Sequence, residues 1–315
     1  MRFVDAEAIR AAAPMPELLD AIEAAYRDVA AGRDRSPVRT RVALPEGDLL
    51  LMPGVREGDA GTSVKLVTVK PGNAERGLPT IHAVVIWLDA TSGEPRAILD
   101  GGTVTAMRTG AASGVATRLL ARPDAEVLAL IGAGAQAGWQ VRAVLAARPI
   151  RELRIYAPSS SSRASFAAAM RDELASSVRV VVAESAKAAV RGAHVICCVT
   201  TSAQPVFESE WVDAGTHVNG IGAYRLDMVE LPPQLFSRAA LVAVDARAAA
   251  LEEAGDLVAA VNAGMLLPDA FVELGSVQSD WVQRRDPAAI TVFKSVGLAI
   301  QDLATAGLVA ARLGL

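Results

Sequence analysis

The segment Val127–Ala137, VLALIGAGAQA, carries the strongest indication of the fold. Its first five residues are an apolar run that predicts a buried strand, and they lead directly into the spacing G-x-G-x-x-A. Between a strand and a helix, this spacing is typical of a dinucleotide-binding turn, because the first glycine permits the turn, the second admits a pyrophosphate and the small third residue lets the helix pack closely. The alternative is a turn that only lets a helix pack on a sheet. We favour dinucleotide binding, with contacts from Gly132, Gly134, Ala135 and Gln136.

Downstream of this turn the pattern alternates between short apolar runs and helical stretches. Strands are predicted at 127–131, 153–156, 178–182, 195–199, 217–221 and 241–244, and helices near 135–147, 163–174 and 186–190. Such alternation is the signature of βαβ units on a parallel sheet. We predict a Rossmann-type, doubly wound α/β domain over residues 120–294.

Upstream of residue 120 the pattern differs. The first 30 residues read as a helix, and strand-like runs follow at 38–44, 49–52, 64–69 and 81–88, with turn residues but no helix between them. A helix over 105–120 ends this part. We therefore predict an antiparallel or mixed sheet in an N-terminal α+β domain, residues 1–119. Residues 291–315 read as helical, and the C-terminal helix 295–315 is expected to pack back on the first domain.

Composition limits the function classes. The chain has 315 residues, 31 Lys+Arg against 35 Asp+Glu, and a formal net charge of −4, which argues against a nucleic-acid partner. The only cysteines are Cys197 and Cys198, which are adjacent and fit a reducing compartment better than a disulfide framework. Acids at Asp5 and Glu7 do not suit a signal peptide, and no apolar run is long enough for a membrane span. We expect a cytoplasmic protein with no membrane partner.

The end of the second predicted strand bears on the choice of dinucleotide. An NAD site usually has an Asp or Glu here for the ribose 2′-hydroxyl. This chain instead reads YAPSSSSR over 156–163. Hydroxyls and an arginine suit a 2′-phosphate, so Ser159 and Arg163 favour NADPH, with NADH as the alternative. The serines also suit the start of a helix, and the two interpretations are compatible.

Three cations in the N-terminal half lie beside small or apolar residues. Lys65 shares a strand face with Val67 and Val69 by alternation, Arg39 is predicted within a strand, and Arg108 begins a helix of small residues. A lysine on an apolar face needs a partner, because burying an unpaired charge is costly. Together the three cations could hold a substrate carboxylate. Taken singly, each fits an ordinary surface or ion-pair residue.

The histidines do not suggest a metal site. His82, His194 and His217 are dispersed, with no paired spacing, and the two cysteines lie within a predicted strand, where they suit the core. We predict no metal.

Several longer motifs carry a resemblance to a known family. They cover nearly the whole chain in order: LLLMPGV (49–55), SVKLVTVKPGN (63–73), GLPT (77–80), TAMRTGAASG (105–114), LIGAGAQA (130–137), TTSAQPVF (200–207), HVNGIGAYRLDMVEL (217–231) and VFKSVGLAIQDLATA (292–306). On these motifs the chain resembles the ornithine cyclodeaminase/mu-crystallin family. The resemblance implies a homodimer, with a substrate and dimerisation domain and a Rossmann NAD(P) domain.

The resemblance also implies roles for single residues. The substrate carboxylate would be held by Arg39, Lys65 and Arg108, with Thr80 nearby. Asp302 matches a position near the active site. The nicotinamide would lie near 219–231, with Thr200, Thr201 and Gly222 contributing to the cofactor site.

Departures from the cyclodeaminase pattern bear on the reaction. Tyr224 stands where cyclodeaminases carry an Asp for the substrate δ-amino group, Met228 where they place a Lys, and Leu50 where they have an acid. A phenol with a pKa near ~10 cannot supply the missing charge at neutral pH. The chain instead looks like members that reduce Δ1-pyrroline-2-carboxylate and Δ1-piperideine-2-carboxylate to proline and pipecolate.

The predicted function is therefore NAD(P)H-dependent reduction of a small cyclic imino acid. The catalytic candidates are Lys65, Arg108, Tyr224 and Asp302. The proton source stays open among Lys65, Tyr224, Asp302 acting through water, and substrate protonated by solvent. The alternatives are ornithine cyclodeamination, another amino-acid dehydrogenase of the family, and a non-catalytic NADP and carboxylate binder of the mu-crystallin type.

Overall fold

The computed structural model of the chain describes residues 1–278 and 286–315. The chain divides into two compact units, of which the first comprises Met1–Arg108 with Gly297–Leu315 and the second Thr109–Val296. Residues 279–285, within the predicted domain 120–294, lie outside the described residues.

The described residues form fourteen strands and ten α-helices. The strands are β1 (Arg2–Val4), β2 (Thr40–Leu44), β3 (Gly47–Gly54), β4 (Gly61–Val69), β5 (Ile81–Asp89), β6 (Pro95–Asp100), β7 (Val127–Ile131), β8 (Glu152–Tyr156), β9 (Arg179–Val182), β10 (Val195–Cys198), β11 (His217–Gly220), β12 (Ala239–Val244), β13 (Phe271–Glu273) and β14 (Ile290–Lys294). The helices are α1 (Ala6–Ala12), α2 (Met15–Ala30), α3 (Gly101–Leu120), α4 (Ala137–Ala147), α5 (Ser160–Leu174), α6 (Ala186–Val190), α7 (Pro233–Arg238), α8 (Arg247–Glu253), α9 (Gly255–Asn262) and α10 (Ala299–Leu313).

The first unit is built on a mixed sheet. Its described strands follow the order β1-β6-β5-β4-β3-β2, with β1 parallel to β6 and the other pairs antiparallel. Burial alternates along β4, so Lys65 shares the buried face with Val67 and Val69, as its sequence predicts. Arg39, predicted within a strand, instead immediately precedes β2.

The helices of the first unit differ from the sequence prediction in two places. The predicted N-terminal helix is a strand followed by two helices, because Asp5 caps α1 and Pro14 precedes α2. The prediction of helix from residue 291 is wrong for its first residues. Ile290–Lys294 is a buried strand, consistent with its β-branched and aromatic residues, and α10 begins only at Ala299 and packs against α2, β3 and β4.

The second unit is built on a parallel sheet with the described order β13-β12-β14-β11-β10-β7-β8-β9. The strand order reverses between β7 and β10, because β8 and β9 extend the sheet on one side of β7, and β10 and β11 on the other. Ligands of open α/β sheets bind outside the carboxyl ends of the strands at such a reversal. The predicted fold class, a Rossmann-type parallel sheet plus a separate α+β sheet, is confirmed.

The division between the units falls within α3, after Arg108. The sequence pattern places it at 119/120, where this helix ends and the alternating pattern begins. Among the described helices, none combines the length and the apolar character of a membrane-spanning segment.

Candidate functional site

The glycine turn after β7 has a different physical requirement at each position. Gly132 has φ +111°, and a Cβ there would lie 2.9 Å from the Val199 carbonyl oxygen. Ala137 is fully buried at the start of α4 and belongs to the core under the sheet. At Gly134 a Cβ would meet no atom within 4 Å. Packing thus explains Gly132 and Ala137, while Gly134 leaves open space beside the backbone, as a pyrophosphate requires.

The two residues that follow Gly134 begin the approach to α4. Ala135 is exposed, and Gln136 is the N-cap residue of the helix. The Gln136 side-chain oxygen Oε1 is shielded from solvent and accepts no hydrogen bond within the described residues. An unsatisfied polar atom at a helix N-terminus, beside an open glycine, fits the phosphates of a dinucleotide.

The end of β8 carries both features expected from its sequence. Ser159 caps α5 by accepting a hydrogen bond from the Ser162 backbone N–H at 3.2 Å. The Arg163 guanidinium lies over the Tyr156 ring, 5.2 Å from its centre. Its Nε is buried and has no hydrogen-bond partner in the described part of the chain. The serine thus caps a helix, and the arginine retains an unused donor beside an aromatic ring.

The loops after β10 and β11 are joined by a carboxylate that sequence reasoning missed. Glu230 accepts hydrogen bonds from the Thr200 backbone N–H at 2.9 Å and from its hydroxyl at 3.0 Å. It also accepts from the backbone N–H groups of Gly222 at 2.6 Å and Ala223 at 3.3 Å. A Cβ on Gly222 would lie 2.0 Å from the Thr200 carbonyl oxygen, so only glycine fits there. Thr201 is exposed on the same loop as Thr200.

Two further buried charges adjoin Glu230. Lys294, the last residue of β14, places its Nζ 2.8 Å from Asp256 Oδ2 and 3.9 Å from Glu230 Oε1. Asp256 Oδ1 accepts the backbone N–H groups of Glu230 and Leu231. Burial raises the pKa of Glu230, opposed by Lys294 and by the N–H donors and reinforced by Asp256. The signal in the sequence was a lysine and an acid within otherwise apolar runs, VFKSV and MVEL.

In the first unit the structure brings three predicted residues together. Lys65 Nζ lies 2.6 Å from Asp302 Oδ2, and Arg108 Nε lies 3.2 Å from Asp302 Oδ1. Lys65 and Asp302 are 1% and 0% exposed. One buried carboxylate thus bridges two buried cations, which supplies the partner that a lysine on an apolar face requires.

Arg39 belongs to the same group of charges. Its Nη2 donates to the Gly297 carbonyl oxygen at 2.7 Å, and a Cβ on Gly297 would lie 2.4 Å from Arg108 Nη1. Burial lowers the pKa of Lys65 to about 7; Asp302 opposes this shift, and the neighbouring Arg108 and Arg39 add to it. The lysine therefore changes charge near neutral pH.

Two residues that position Arg108 were missed from the sequence. Gln301 Oε1 accepts from Arg108 Nη1 at 2.9 Å and from the Leu298 backbone N–H at 3.0 Å. Gln301 Nε2 donates to the Tyr26 hydroxyl on α2. The only sign of Gln301 in the sequence is a polar residue next to Asp302 at the start of an apolar helix. Its partners Arg108 and Tyr26 lie about 190 and 275 residues away in the chain, so no local spacing reveals the contacts.

The last two predicted residues, Thr80 and Tyr224, lie on loops. Thr80 is exposed, one residue before β5, and its carbonyl oxygen accepts from the Lys70 backbone N–H at 2.8 Å. Tyr224 is partly buried in the second unit, on the loop after β11.

His217 and the two cysteines lie in the core of the second unit. His217 is fully buried between Thr291 Oγ1, 2.9 Å from its Nδ1, and Asn219 Oδ1, 3.1 Å from its Nε2, and burial lowers its pKa to about 3. Cys197 and Cys198 are buried free thiols. Among the described side chains, no group of three His, Cys, Asp or Glu residues is arranged to hold a metal ion.

Known proteins resemble this chain over nearly its whole length. The model of the ornithine cyclodeaminase/mu-crystallin family matches residues 2–314. A Delta(1)-pyrroline-2-carboxylate reductase of Bacillus cereus is 37% identical over 310 residues, 97% of this chain and 94% of the relative. The ketimine reductase mu-crystallin of Mus musculus is 36% identical over 300 residues, 93% of this chain and 90% of the relative.

A solved structure agrees with these relatives. Thermococcus litoralis Delta(1)-pyrroline-2-carboxylate reductase, in complex with NADH and L-proline, superposes with a TM-score of 0.92 at 32% identity. The match covers 100% of this chain and 99% of that chain. The resemblance noted in the sequence is confirmed, and this chain belongs to the ornithine cyclodeaminase/mu-crystallin family.

Proposed function

We propose that this protein is an NAD(P)H-dependent reductase of cyclic ketimine carboxylates. The substrates would be Δ1-pyrroline-2-carboxylate, Δ1-piperideine-2-carboxylate or both, and the products L-proline and L-pipecolate. The observation that carries the proposal is the group of cations around Asp302. The named activities of the relatives support it.

The charges of this group are unbalanced in favour of an anion. Its buried members are two cations and one carboxylate, because Lys65 and Arg108 carry two positive charges when both are protonated and Asp302 neutralises one. A buried excess of positive charge is costly unless an anion completes it. A substrate carboxylate would do so, with Arg108 and Arg39 offering planar donors and Lys65 a point charge.

Lys65 is our proposed proton source. With a pKa lowered to about 7 by burial, its ammonium can release a proton at neutral pH. Reduction of the C=N bond requires one proton at the ring nitrogen, and the released proton would go there. Asp302 has one oxygen on Lys65 and the other on Arg108, so its role would be to orient both.

NAD(P)H would supply the hydride that forms the new C–H bond at the ketimine carbon. We propose Gly132, Gly134, Ala135, Gln136, Thr200, Thr201 and Gly222 as its binding residues. We also propose a preference for NADPH over NADH. The support is the segment after β8, where NAD sites usually carry an acid: this chain has Ser159 and Arg163 there, and the buried Nε of Arg163 lacks a partner in the described part of the chain.

Ornithine cyclodeamination is less well supported. It needs an anion for the substrate δ-amino group, and the corresponding position is Tyr224. A neutral phenol can donate or accept a hydrogen bond, but it brings no countercharge. Tyr224 therefore favours a substrate ring without a free side-chain amine.

The carboxylate site is tested with Arg108→Ala and the matched control Arg122→Ala, an exposed arginine paired with Asp124. With Δ1-pyrroline-2-carboxylate and NADPH, we expect Arg108→Ala to lower kcat/KM at least ~100-fold, since charged hydrogen bonds contribute about 1.5–3 kcal/mol each. Arg122→Ala should retain wild-type kinetics. Equal kinetics in both variants would remove Arg108 from the site.

The cofactor preference is tested with Arg163→Ala and, on the same helix, Arg171→Ala. Loss of an arginine that pairs with a 2′-phosphate should raise the Kd for NADPH ~10-fold or more and leave the Kd for NADH nearly unchanged. Arg171→Ala should change neither constant. A parallel loss of both cofactors in Arg163→Ala would contradict the 2′-phosphate contact.

We further propose a homodimer and a cytoplasmic location. Val38 and Val42 leave apolar surface exposed at the edge strand β2 and just before it, which is typical of a surface that another chain covers. The two free thiols suit a reducing compartment. Light scattering on the purified protein tests the dimer, and a monomer at micromolar concentration would contradict it.

A further inference from the structure

Three of the charged side chains buried in the second unit lie close to the loops after β10 and β11. Glu230, Asp256 and Lys294 form this acid–lysine cluster, and each is at most 1% exposed. Lys294 Nζ lies 2.8 Å from Asp256 Oδ2 and 3.9 Å from Glu230 Oε1. The lysine is therefore paired closely with Asp256 and only loosely with Glu230.

The cluster carries a net negative charge. All four described hydrogen bonds to the Glu230 side chain come from donors, namely two backbone N–H groups of the β11 loop and the N–H and hydroxyl of Thr200. Each carboxyl oxygen of Glu230 accepts at least one backbone N–H, and these donors, together with Lys294, stabilise the carboxylate against the opposing effect of burial. Two carboxylates and one ammonium then leave one uncompensated negative charge.

The hydrogen bonds of the loops account for two acceptor side chains at these positions but not for two negative charges. Burying ion pairs rarely gains stability over apolar packing, and burying an unequal number of charges costs more. Gln and Asn at the two acid positions could accept the same backbone N–H groups without burying a negative charge. The excess charge therefore points to a role in ligand binding.

The position of the charge indicates which ligand it affects. The groups bound by Glu230 follow the carboxyl ends of β10 and β11, in the half of the sheet beyond the reversal at β7. In a dinucleotide-binding sheet this half faces the second mononucleotide, while the glycine turn after β7 faces the pyrophosphate. In a nicotinamide dinucleotide that second mononucleotide carries the nicotinamide, so this step rests on the proposed function.

We propose that Glu230 is a positioning residue that fixes the loops after β10 and β11, and whose uncompensated charge favours the oxidised, cationic nicotinamide over the reduced one. In the proposed reaction NAD(P)H would supply the hydride to the ketimine carbon, the C=N π pair would move to nitrogen, where a proton is added, and the oxidised cofactor would carry one positive charge on its nicotinamide. A fixed negative charge nearby stabilises that product charge and makes hydride donation more favourable.

The test is the Kd for NADP⁺ and for NADPH, measured by calorimetry on the full chain, in wild type and in Glu230→Gln. A unit charge about 10 Å away, at an effective dielectric constant of about 20, changes a binding constant about tenfold. We expect Glu230→Gln to weaken NADP⁺ about tenfold more than NADPH. Thr200→Val removes one hydrogen bond to Glu230 but keeps the charge of Glu230. In this variant the Kd for NADP⁺ and the Kd for NADPH should change by the same factor.

The outcomes separate the two proposals. Equal weakening of both forms in Glu230→Gln overturns the electrostatic role, even when the cofactor binds wild type well. Failure of wild type to bind either form overturns the proposed function instead. If Glu230→Gln does not fold, Asp256→Asn removes one charge from the same cluster while its amide oxygen can still accept the two backbone N–H groups. The same tenfold difference is expected, and its absence overturns the inference.

Discussion

Carboxylate binding by this protein should weaken as the pH rises above neutrality, because Lys65 loses its charge. Burial places the pKa of this lysine at about 7 in the free protein. The ammonium form is present below that pH and disappears above it. A bound carboxylate stabilises the ammonium form, so the pKa of Lys65 should be higher in the complex than in the free protein.

The size of this effect follows from one charged contact. A hydrogen bond between charged partners contributes about 1.5–3 kcal/mol, which raises the pKa of Lys65 in the complex by about 1–2 units. By linkage, the Kd should rise about 10- to 100-fold from pH 6 to pH 9.5 and then level off. The steepest change should begin near pH 7.

The assay must avoid the titration of the substrate itself. The ketimine nitrogen also binds a proton, so we choose pyrrole-2-carboxylate, a planar five-membered ring whose nitrogen is not basic in this range. Its Kd is measured by calorimetry in the presence of saturating NADP⁺. Lys65→Met, of similar length and without charge, serves as the matched variant.

The two proteins should give different profiles. Lys65→Met should bind weakly with a flat pH profile, near the alkaline limit of wild type. A flat wild-type profile over the same range, or a Lys65→Met profile with the wild-type slope, would refute the role of Lys65. Circular dichroism of the variant confirms that it folds before its affinity is interpreted.

Three further predictions concern single residues. Gly132→Ala should destabilise the second unit, because Gly132 has a positive φ and a Cβ there would meet Val199. Gly134→Ala should leave the Tm unchanged and weaken NADPH binding. Equal losses of Tm in the two variants would contradict this. Burial lowers the pKa of His217 to about 3 in the folded protein, so below pH 6.5 the unfolded chain binds more protons than the folded one. As the pH is lowered from 6.5 to 3, the free energy of unfolding should therefore fall by up to about 1.4 kcal/mol per pH unit. Denaturant titrations of His217→Gln should lack that component of the slope. Tyr26→Phe removes a hydrogen-bond partner of Gln301 and should raise the substrate KM about 2- to 10-fold without changing the Kd for NADPH; an unchanged KM would argue against this support of Arg108.

The parts of the fold that sequence predicts well are those with local signals. The glycine turn and the alternation after it predict the parallel sheet, because each element is marked by its own period and its own turn residues. β14 is the informative failure. Ile290–Lys294 is too short to show a period, and it joins the centre of the sheet only through distant partners, β11 and β12.

The candidate site divides in the same way. Lys65, Arg108 and Asp302 were proposed from motifs, and the structure brings them into contact across separations of up to 237 residues. Gln301 and Glu230 were missed because their importance lies in long-range hydrogen bonds rather than in any spacing. A buried acid beside backbone N–H groups leaves no pattern in a single sequence beyond a charge in an apolar run.

A comparison of two substrates on the purified wild-type protein tests the reductase assignment most directly. Δ1-Pyrroline-2-carboxylate with NADPH is assayed by loss of reduced nicotinamide and by formation of L-proline, and ornithine with the oxidised cofactor by formation of proline and ammonia. We predict rapid, stoichiometric NADPH oxidation with the imine and no proline from ornithine. Proline and ammonia from ornithine, without oxidation of NADPH by the imine, would contradict the reductase assignment and the argument from Tyr224.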